Sequence, residues 1–165
     1  MAEFSVNPNR IDPYKNFRFR VKWDNKYVPG VARVSPLRRM TAVVEERAGG
    51  DVAETHRSPG TTTWAPLVLE RGRTHDTAFE DWANLVWTEA GGTMSLKKFR
   101  KDLTVELLNE QGTTVMAFKV HRAWPIEYVP LGQLDSEGEE TLMETLVLEH
   151  EGWERDTAVT EPAET

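Results

Sequence analysis

The chain has 165 residues, and ~100–200 residues is the usual size of one domain. It carries 20 Lys and Arg against 27 Asp and Glu, a net charge of −7, with 39% hydrophobic and 28% charged residues. That balance is too apolar for a disordered chain and too polar for a membrane protein, and the absence of cysteine excludes disulfides, thiolate metal sites and thiol nucleophiles.

The first residues, MAEFSVNPNRID, show neither a basic leader nor an apolar run. Neither membrane insertion nor signal-peptide export is expected, and assembly in the cytoplasm is. Charge is uneven along the chain: residues 1–40 carry nine basic and three acidic side chains, whereas residues 135–165 carry eleven acidic ones and only Arg155. Opposite signs at the two ends suggest surfaces that attract one another, within a molecule or between copies.

From Lys15 the chain alternates. Phe17, Phe19, Val21 and Trp23 fall on one side, and Asn16, Arg18, Arg20, Lys22 and Asp24 on the other, so a half-buried strand is expected. Asp24-Asn25-Lys26 reads as a turn, Tyr27–Val34 as a strand interrupted by Pro29-Gly30, and Met40–Arg47 as a third strand. Next come Ala48-Gly49-Gly50-Asp51, a polar run through Glu54, Thr55, His56 and Arg57, and Ser58-Pro59-Gly60. A connection of this length without a period points to a partner-binding loop. Thr61–Arg71 resumes extended patterning.

One helix is expected over residues 77–90. Thr77 and Glu80 fit a capping box, Phe79, Trp82, Ala83, Val86 and Trp87 recur at helical spacing, and Gly91-Gly92 ends the pattern. Asp102–Leu108 and Thr114–Trp124 flank Asn109-Glu110-Gln111-Gly112 as a hairpin, with Leu103, Val105 and Leu107 inward. Pro125 and Pro130 bracket residues 126–129, and Thr141–His150 forms the last strand, with Leu142, Leu146 and Leu148 on one face. The expected organisation is an N-terminal arm (1–14), a β domain (15–154) and an acidic, frayed tail (155–165). Six to eight strands around one helix make a mainly β protein, a small β-barrel or sandwich with one α-helix.

Chemistry is sparse. His75-Asp76, with Ser58 or Ser95 as nucleophile, lacks a G-x-S-x-G elbow. His121 and His150, with Glu144 or Glu149, lack metal-ligand spacing, and Gly49-Gly50 lacks the lysine and hydroxyl of a phosphate loop. Arg18, Arg20 and Lys22 lie opposite the strand's aromatic rings, whereas a base-stacking platform needs both on one face. No catalytic residue, metal or cofactor is expected. Six tryptophans (23, 64, 82, 87, 124 and 153) divide between core and contact surfaces.

Several segments share a pattern in order and spacing: Asp12-Pro13-Tyr14-Lys15-Asn16-Phe17-Arg18-Phe19-Arg20-Val21, Val44-Glu45-Glu46-Arg47-Ala48-Gly49-Gly50-Asp51, Ser58-Pro59-Gly60, Leu69-Glu70-Arg71-Gly72 before Thr74-His75-Asp76, Ala123-Trp124-Pro125 and Leu148-Glu149-His150-Glu151-Gly152. Over residues 10–154 the chain resembles the inner tube proteins of contractile phage tails and phage-tail-like injection particles. The resemblance implies a tail-tube-like fold and six copies per ring. It also implies rings stacked into a conduit for cargo, a surrounding sheath, and baseplate and tail-terminator or spike proteins at the ends. The baseplate-proximal first ring shares the pattern. Residues 129–140 depart from the family's Asn- and Ala-rich stretch, and the acidic tail has no counterpart in the pattern.

A tube needs two distinct self-complementary contacts on one small domain. The expected ring-to-ring contact is Ala48, Gly49, Gly50, Asp51, Glu54, His56, Arg57, Ser58, Pro59 and Gly60, with the arm before Tyr14. The expected lateral contact is Arg18, Arg20 and Lys22 against Glu149 and Glu151, with strand edges and the helix in support. The rival readings are a monomeric lipocalin-type barrel with aromatics around an internal pocket and an enzyme built on His75 and Asp76.

Overall fold

The computed structural model describes residues 4–47, 49–50, 55–87, 94 and 96–165. In chain order the elements are β1 (Phe19–Trp23), β2 (Lys26–Tyr27), β3 (Val31–Val34), β4 (Arg39–Glu46), β5 (His56–Trp64), β6 (Leu67–Gly72), α1 (Ala78–Val86), β7 (Lys101–Leu108), β8 (Thr114–Val129), β9 (Met143–Glu149) and β10 (Trp153–Arg155). Eight strands form one sheet in the order β2-β1-β7-β8-β9-β6-β3, with β10 also on β8, while β4 and β5 pair only with each other. Every pairing is antiparallel.

The alternation in β1 buries Val21 and Trp23, and in β9 it buries Leu146 and Leu148. These meet Leu67 and Leu69 of β6, Leu103 of β7 and Val120 and Ala123 of β8 in one cluster, into which α1 places Phe79 and Trp82. Trp23 lies between those two rings, 6.0 Å from Phe79 and 4.8 Å from Trp82. The sheet therefore curls over its own apolar face, with α1 against β8. Its path ends at β2 and β3 with no ladder joining them among the described residues, so the expected barrel is an open roll. The space a lipocalin would give a ligand is filled by these rings.

Several boundaries differ from the sequence reading. Phe17 precedes β1 and is exposed. The strand expected over residues 61–71 breaks at Ala65-Pro66 into the end of β5 and all of β6. Ser58-Pro59-Gly60 is strand rather than loop: the register slips between Thr41/Thr62 and Val43/Pro59, and Gly60 lies in the extra length. A Cβ on Gly60 would stand 2.9 Å from Val44 Cγ2, so glycine suits the bulge.

β8 continues through Pro125 to Val129. Its first half lies between β7 and β10, whereas its second half has only β9 beside it and carries a register shift after Pro125, where a missing N–H is tolerated. The described helix ends at Val86, and residues 88–93 lie outside the described residues. Its start is not a capping box. Thr77 Oγ1 donates to Asp81 Oδ2 (3.0 Å), and the Ala78 amide is taken by Asp76 Oδ1 (3.0 Å).

The two chain ends are joined. The Glu161 carboxylate accepts from the amides of Val6 (3.0 Å) and Asn7 (3.1 Å) and from the side chains of Ser5 and Asn7, while Arg10 pairs with Glu164. The acidic tail expected to fray is docked on the arm.

Candidate assembly surface

β4 and β5 form an arm outside the main sheet. All of β4 is exposed, and in β5 only Gly60 and Trp64 are partly covered. Met40 is 49%, Val43 66% and Val44 41% exposed, although each belongs to a residue type that favours burial. The arm's own contacts are few: a Thr41–Thr62 hydroxyl pair at 2.9 Å, an Arg57–Glu45 ion pair at 3.2 Å and the ladder itself. A lone two-stranded hairpin is marginal in water, and its outer edges present unpaired backbone groups that another strand or copy can cover.

The root of the arm is firm. Trp64, the last residue of β5, packs edge-on to Trp153 at 5.3 Å, and the Arg39 guanidinium lies 5.7 Å from both rings. His150 accepts the Gly152 amide on Nδ1 (3.1 Å) and pairs through Nε2 with the Ala65 carbonyl (2.8 Å), which fixes the chain just after β5. Gly152, at φ +127°, lets Trp64 approach: a Cβ there would stand 3.0 Å from the ring. This anchor joins residues far apart in sequence, and no local pattern announced it.

Of the residues expected at a ring-to-ring contact, Gly49 and Gly50 form the turn of the arm, with Gly50 at φ +106°, and His56, Arg57, Ser58, Pro59 and Gly60 lie in β5. Ala48, Asp51 and Glu54 lie outside the described residues. Of the expected lateral residues, Arg20 and Lys22 share Glu106 as an ion partner and lie over the Tyr27 ring. Arg18 is exposed beside Phe17. Glu151 pairs with Arg122 at 2.8 Å, and Glu149 accepts the His150 amide. The basic row is therefore largely engaged within its own chain, and among the described residues Arg18 has no ion-pair partner.

The enzyme candidates are dispersed. Asp76 is engaged by the Ala78 amide and by Arg71 (2.8 Å), and the first of these, more than the second, holds its carboxyl below the ordinary value of 3.8. His75 is exposed on a bend, Ser58 is on the arm, and Ser95 lies outside the described residues. His121 pairs with Glu154 at 3.2 Å, and His150 serves the root. Among the described residues no group of three or more potential metal ligands converges, and no helix is long and apolar enough to cross a membrane.

The buried charges are structural. Glu144 is fully enclosed, divided between Arg71 and Arg73, and receives the Tyr128 hydroxyl at 3.2 Å. The hydrogen bond that Arg73 donates to Glu144 raises the Arg73 pKa, and burial raises that of Tyr128.

Residues 15–154 match the model of the T4-like virus tail tube protein gp19 family. The chain belongs to that family. A gp19-family tail tube protein is a structural component, and the chain is not an enzyme. Solved structures share the fold. A chain of the extracellular contractile injection system PVC sheath-tube complex in its extended state is 21% identical, with 94% of this chain and 99% of that one covered at a TM-score of 0.75. A chain of the anti-feeding prophage baseplate, 6-fold symmetrised, is 22% identical over 89% and 97%, at 0.73. Hcp1 from Flavobacterium johnsoniae is 19% identical over 90% and 100%, at 0.53. Among curated proteins none matches significantly. The gp19 match stops short of both the arm before Lys15 and the docked tail.

Proposed function

We propose that the chain is the repeating subunit of the inner tube of a contractile tail or injection particle, closing into six-membered rings that stack into a conduit for cargo. The observation that carries this reading is the β4–β5 arm: a two-stranded hairpin exposed on both faces, rooted by Trp64, Trp153 and Arg39, on a domain whose core is otherwise complete. An arm of this kind gains its stability from a neighbour. Family membership supports the role. The fold is shared with chains of a sheath-tube complex and of a 6-fold symmetrised baseplate.

On this reading the partners are further copies, a sheath around the tube, and baseplate and terminator proteins at its ends. The subunit assembles in the cytoplasm. Ring-to-ring contact runs through the arm, from Gly49-Gly50 to His56–Gly60. Lateral contact engages Arg18 with the edge of β1, carrying Arg20 and Lys22, against the corner formed by Glu149 and Glu151.

Light scattering and negative-stain microscopy of the purified chain test the reading. Rings or rods are expected, and a monomer at every concentration would overturn it. Replacing Gly49 and Gly50 by valine forces a side chain onto the positive φ of Gly50. The variant is expected to fold but to form only short particles, and unchanged tube length would remove the arm from the ring-to-ring contact.

A further inference from the structure

The β8–β9 connection, residues 130–142, ends in an exposed tip with a marked order: Leu131 and Leu134 are 51% and 67% exposed, and Asp135, Glu137, Glu139 and Glu140 follow. Among the described residues these four acids have no ion-pair partner, although many other charged side chains of the chain are paired. Two leucines held in water beside four unmatched carboxylates suit a surface that is apolar at one end and basic at the other.

One such surface lies between α1 and the second half of β8. It is a groove of about 690 Å³, floored by Ala83, Val86 and Trp87 from the helix and by Pro125, Ile126 and Tyr128 from the strand. Trp87 is 66% and Ile126 45% exposed. Glu80 and Glu127 stand on its rim, toward the start of α1 and the end of β8.

Next to the groove lies the turn before β7. The Trp82 Nε1–H donates to the Phe99 carbonyl at 2.8 Å, and the Phe99 ring meets Trp124, next to Pro125, at 6.5 Å. This turn presents Lys97, Lys98 and Arg100, all exposed and, among the described residues, without a carboxylate partner. Lys101 is already taken by Asp24. Lys97, Lys98 and Arg100 line a second hollow with Leu85 and Asp102. The groove thus has an apolar floor with two carboxylates on its rim, and the basic turn is joined to it through Phe99 and Trp124.

We propose that the Leu131–Glu140 tip of one copy seats in the α1–β8 groove of a second copy. Leu131 and Leu134 lie over Trp87 and Ile126, and the carboxylates reach Lys97, Lys98 and Arg100. The proposal rests on the reading of the chain as a self-assembling tube subunit and names one of its contacts. Pro130, just before the tip, also lines the groove, but among the described residues the tip's carboxylates make no ion pair with the basic turn of their own chain, so the occupant is a second copy. Lys101 pairs opposite Ala123, whereas the tip leaves β8 after Val129, six residues or about 20 Å farther on. Gly132 then holds the base of the tip on the Met143 carbonyl (3.1 Å). A tip and a basic turn at different places on one molecule make a head-to-tail contact, the kind that closes rings or extends filaments.

The absence of cysteine makes the test direct. Asn84→Cys, exposed at the groove, and Leu134→Cys, on the tip, are purified separately, mixed and oxidised under assembling conditions. A disulfide-linked heterodimer is expected at a yield at least about tenfold above either variant alone, because a fixed pairing raises the effective concentration of the two thiols. Reversing Lys97, Lys98 and Arg100 to Glu is expected to abolish it, and adding Glu137→Lys, Glu139→Lys and Glu140→Lys to the partner variant to restore it. That restoration also shows that the reversed chains fold. Rings or rods without the linked heterodimer would overturn the contact and leave the subunit reading standing. Neither particles nor heterodimer would overturn both. A heterodimer indifferent to the charge reversals would overturn the pairing of tip and basic turn.

Discussion

Two of the most deeply buried side chains of this fold are charged. Glu144 is sealed in the core between Arg71 and Arg73, and Arg71, itself buried, also holds the Asp76 carboxylate and carbonyl and lies 4.3 Å from the Phe79 ring. Removing Glu144 leaves the buried Arg71 with only the half-exposed Asp76 carboxylate and takes the carboxylate from Arg73, and breaking such a buried pair costs about 3–5 kcal/mol. Glu144→Ala is therefore expected to lower the unfolding free energy in urea titration by about that amount, and Arg73→Ala, whose side chain is 27% exposed, by clearly less. Gly152 makes a different demand, combining φ +127° with a ring at Cβ distance. Gly152→Ala is expected to cost about 1–3 kcal/mol, read as a lowered Tm, because the backbone strain falls where Trp64 anchors the arm. At the chain ends, the Val6 amide, above other contacts, holds the Glu161 carboxyl below its ordinary value of 4.5. A carboxyl lowered in the folded state contributes fully above the unfolded value, and the contribution is lost as pH falls through the folded value. The Val6 and Asn7 amides are therefore expected to lose exchange protection on acidification below pH 4.5, and in Glu161→Gln to show no such acid-dependent loss. Protection that holds in acid for the parent chain would mean that the carboxylate does not fasten the arm.

At the scale of elements, α1 shows what a sequence does and does not disclose. The spacing of Phe79 and Trp82 identifies the buried face, because side chains three or four apart share one side of a helix. Trp82 also donates its indole N–H to the Phe99 carbonyl, a non-local bond that no periodicity encodes. Trp82→Phe keeps most of the volume but leaves that carbonyl unmatched, and is expected to cost about 1–3 kcal/mol. Trp82→Ala is expected to cost about 3–5 kcal/mol in the same denaturation experiment. The strands were legible where one face is buried, as in β1 and β9, since alternation records a two-sided environment. They were not legible where punctuation misled: Pro125 lies inside β8 because only β9 flanks it there, and Pro59-Gly60 lies inside β5 because that strand bulges and its outer edge is free. The proposed assembly surface was visible as a long polar connection. Its pairing into an arm, and the Trp64, Trp153 and Arg39 root, depend on contacts between distant residues and became visible only in the fold.

For the whole molecule, the lopsided charge is partly used at home. Arg10 meets Glu164 and Glu110, Asn7 meets Glu161, and Arg20 and Lys22 meet Glu106, so the basic start is bound to acids of its own chain. Among the described residues, groups left unmatched include Arg18, the exposed arm, the acidic tip and the basic turn. The arm yields the sharpest expectation. Its amides are bonded across the β4–β5 ladder, but no apolar face is buried behind them, so opening costs little. The ladders of β7, β8 and β9 stand over Leu103, Val120 and Leu146 and open only with the core. In the dispersed subunit, hydrogen exchange is therefore expected to be fast throughout β4 and β5 and slow in β7 to β9. In assembled particles the arm is expected to slow by about two orders of magnitude or more, because a neighbour contributing ~3 kcal/mol lowers the open population that far. If β4 and β5 are already as slow as β8 in the dispersed chain, the hairpin is self-sufficient and needs no partner. If they stay fast in the particle, the arm projects from the assembly instead of joining it, and the contacts that build the tube lie elsewhere on the roll.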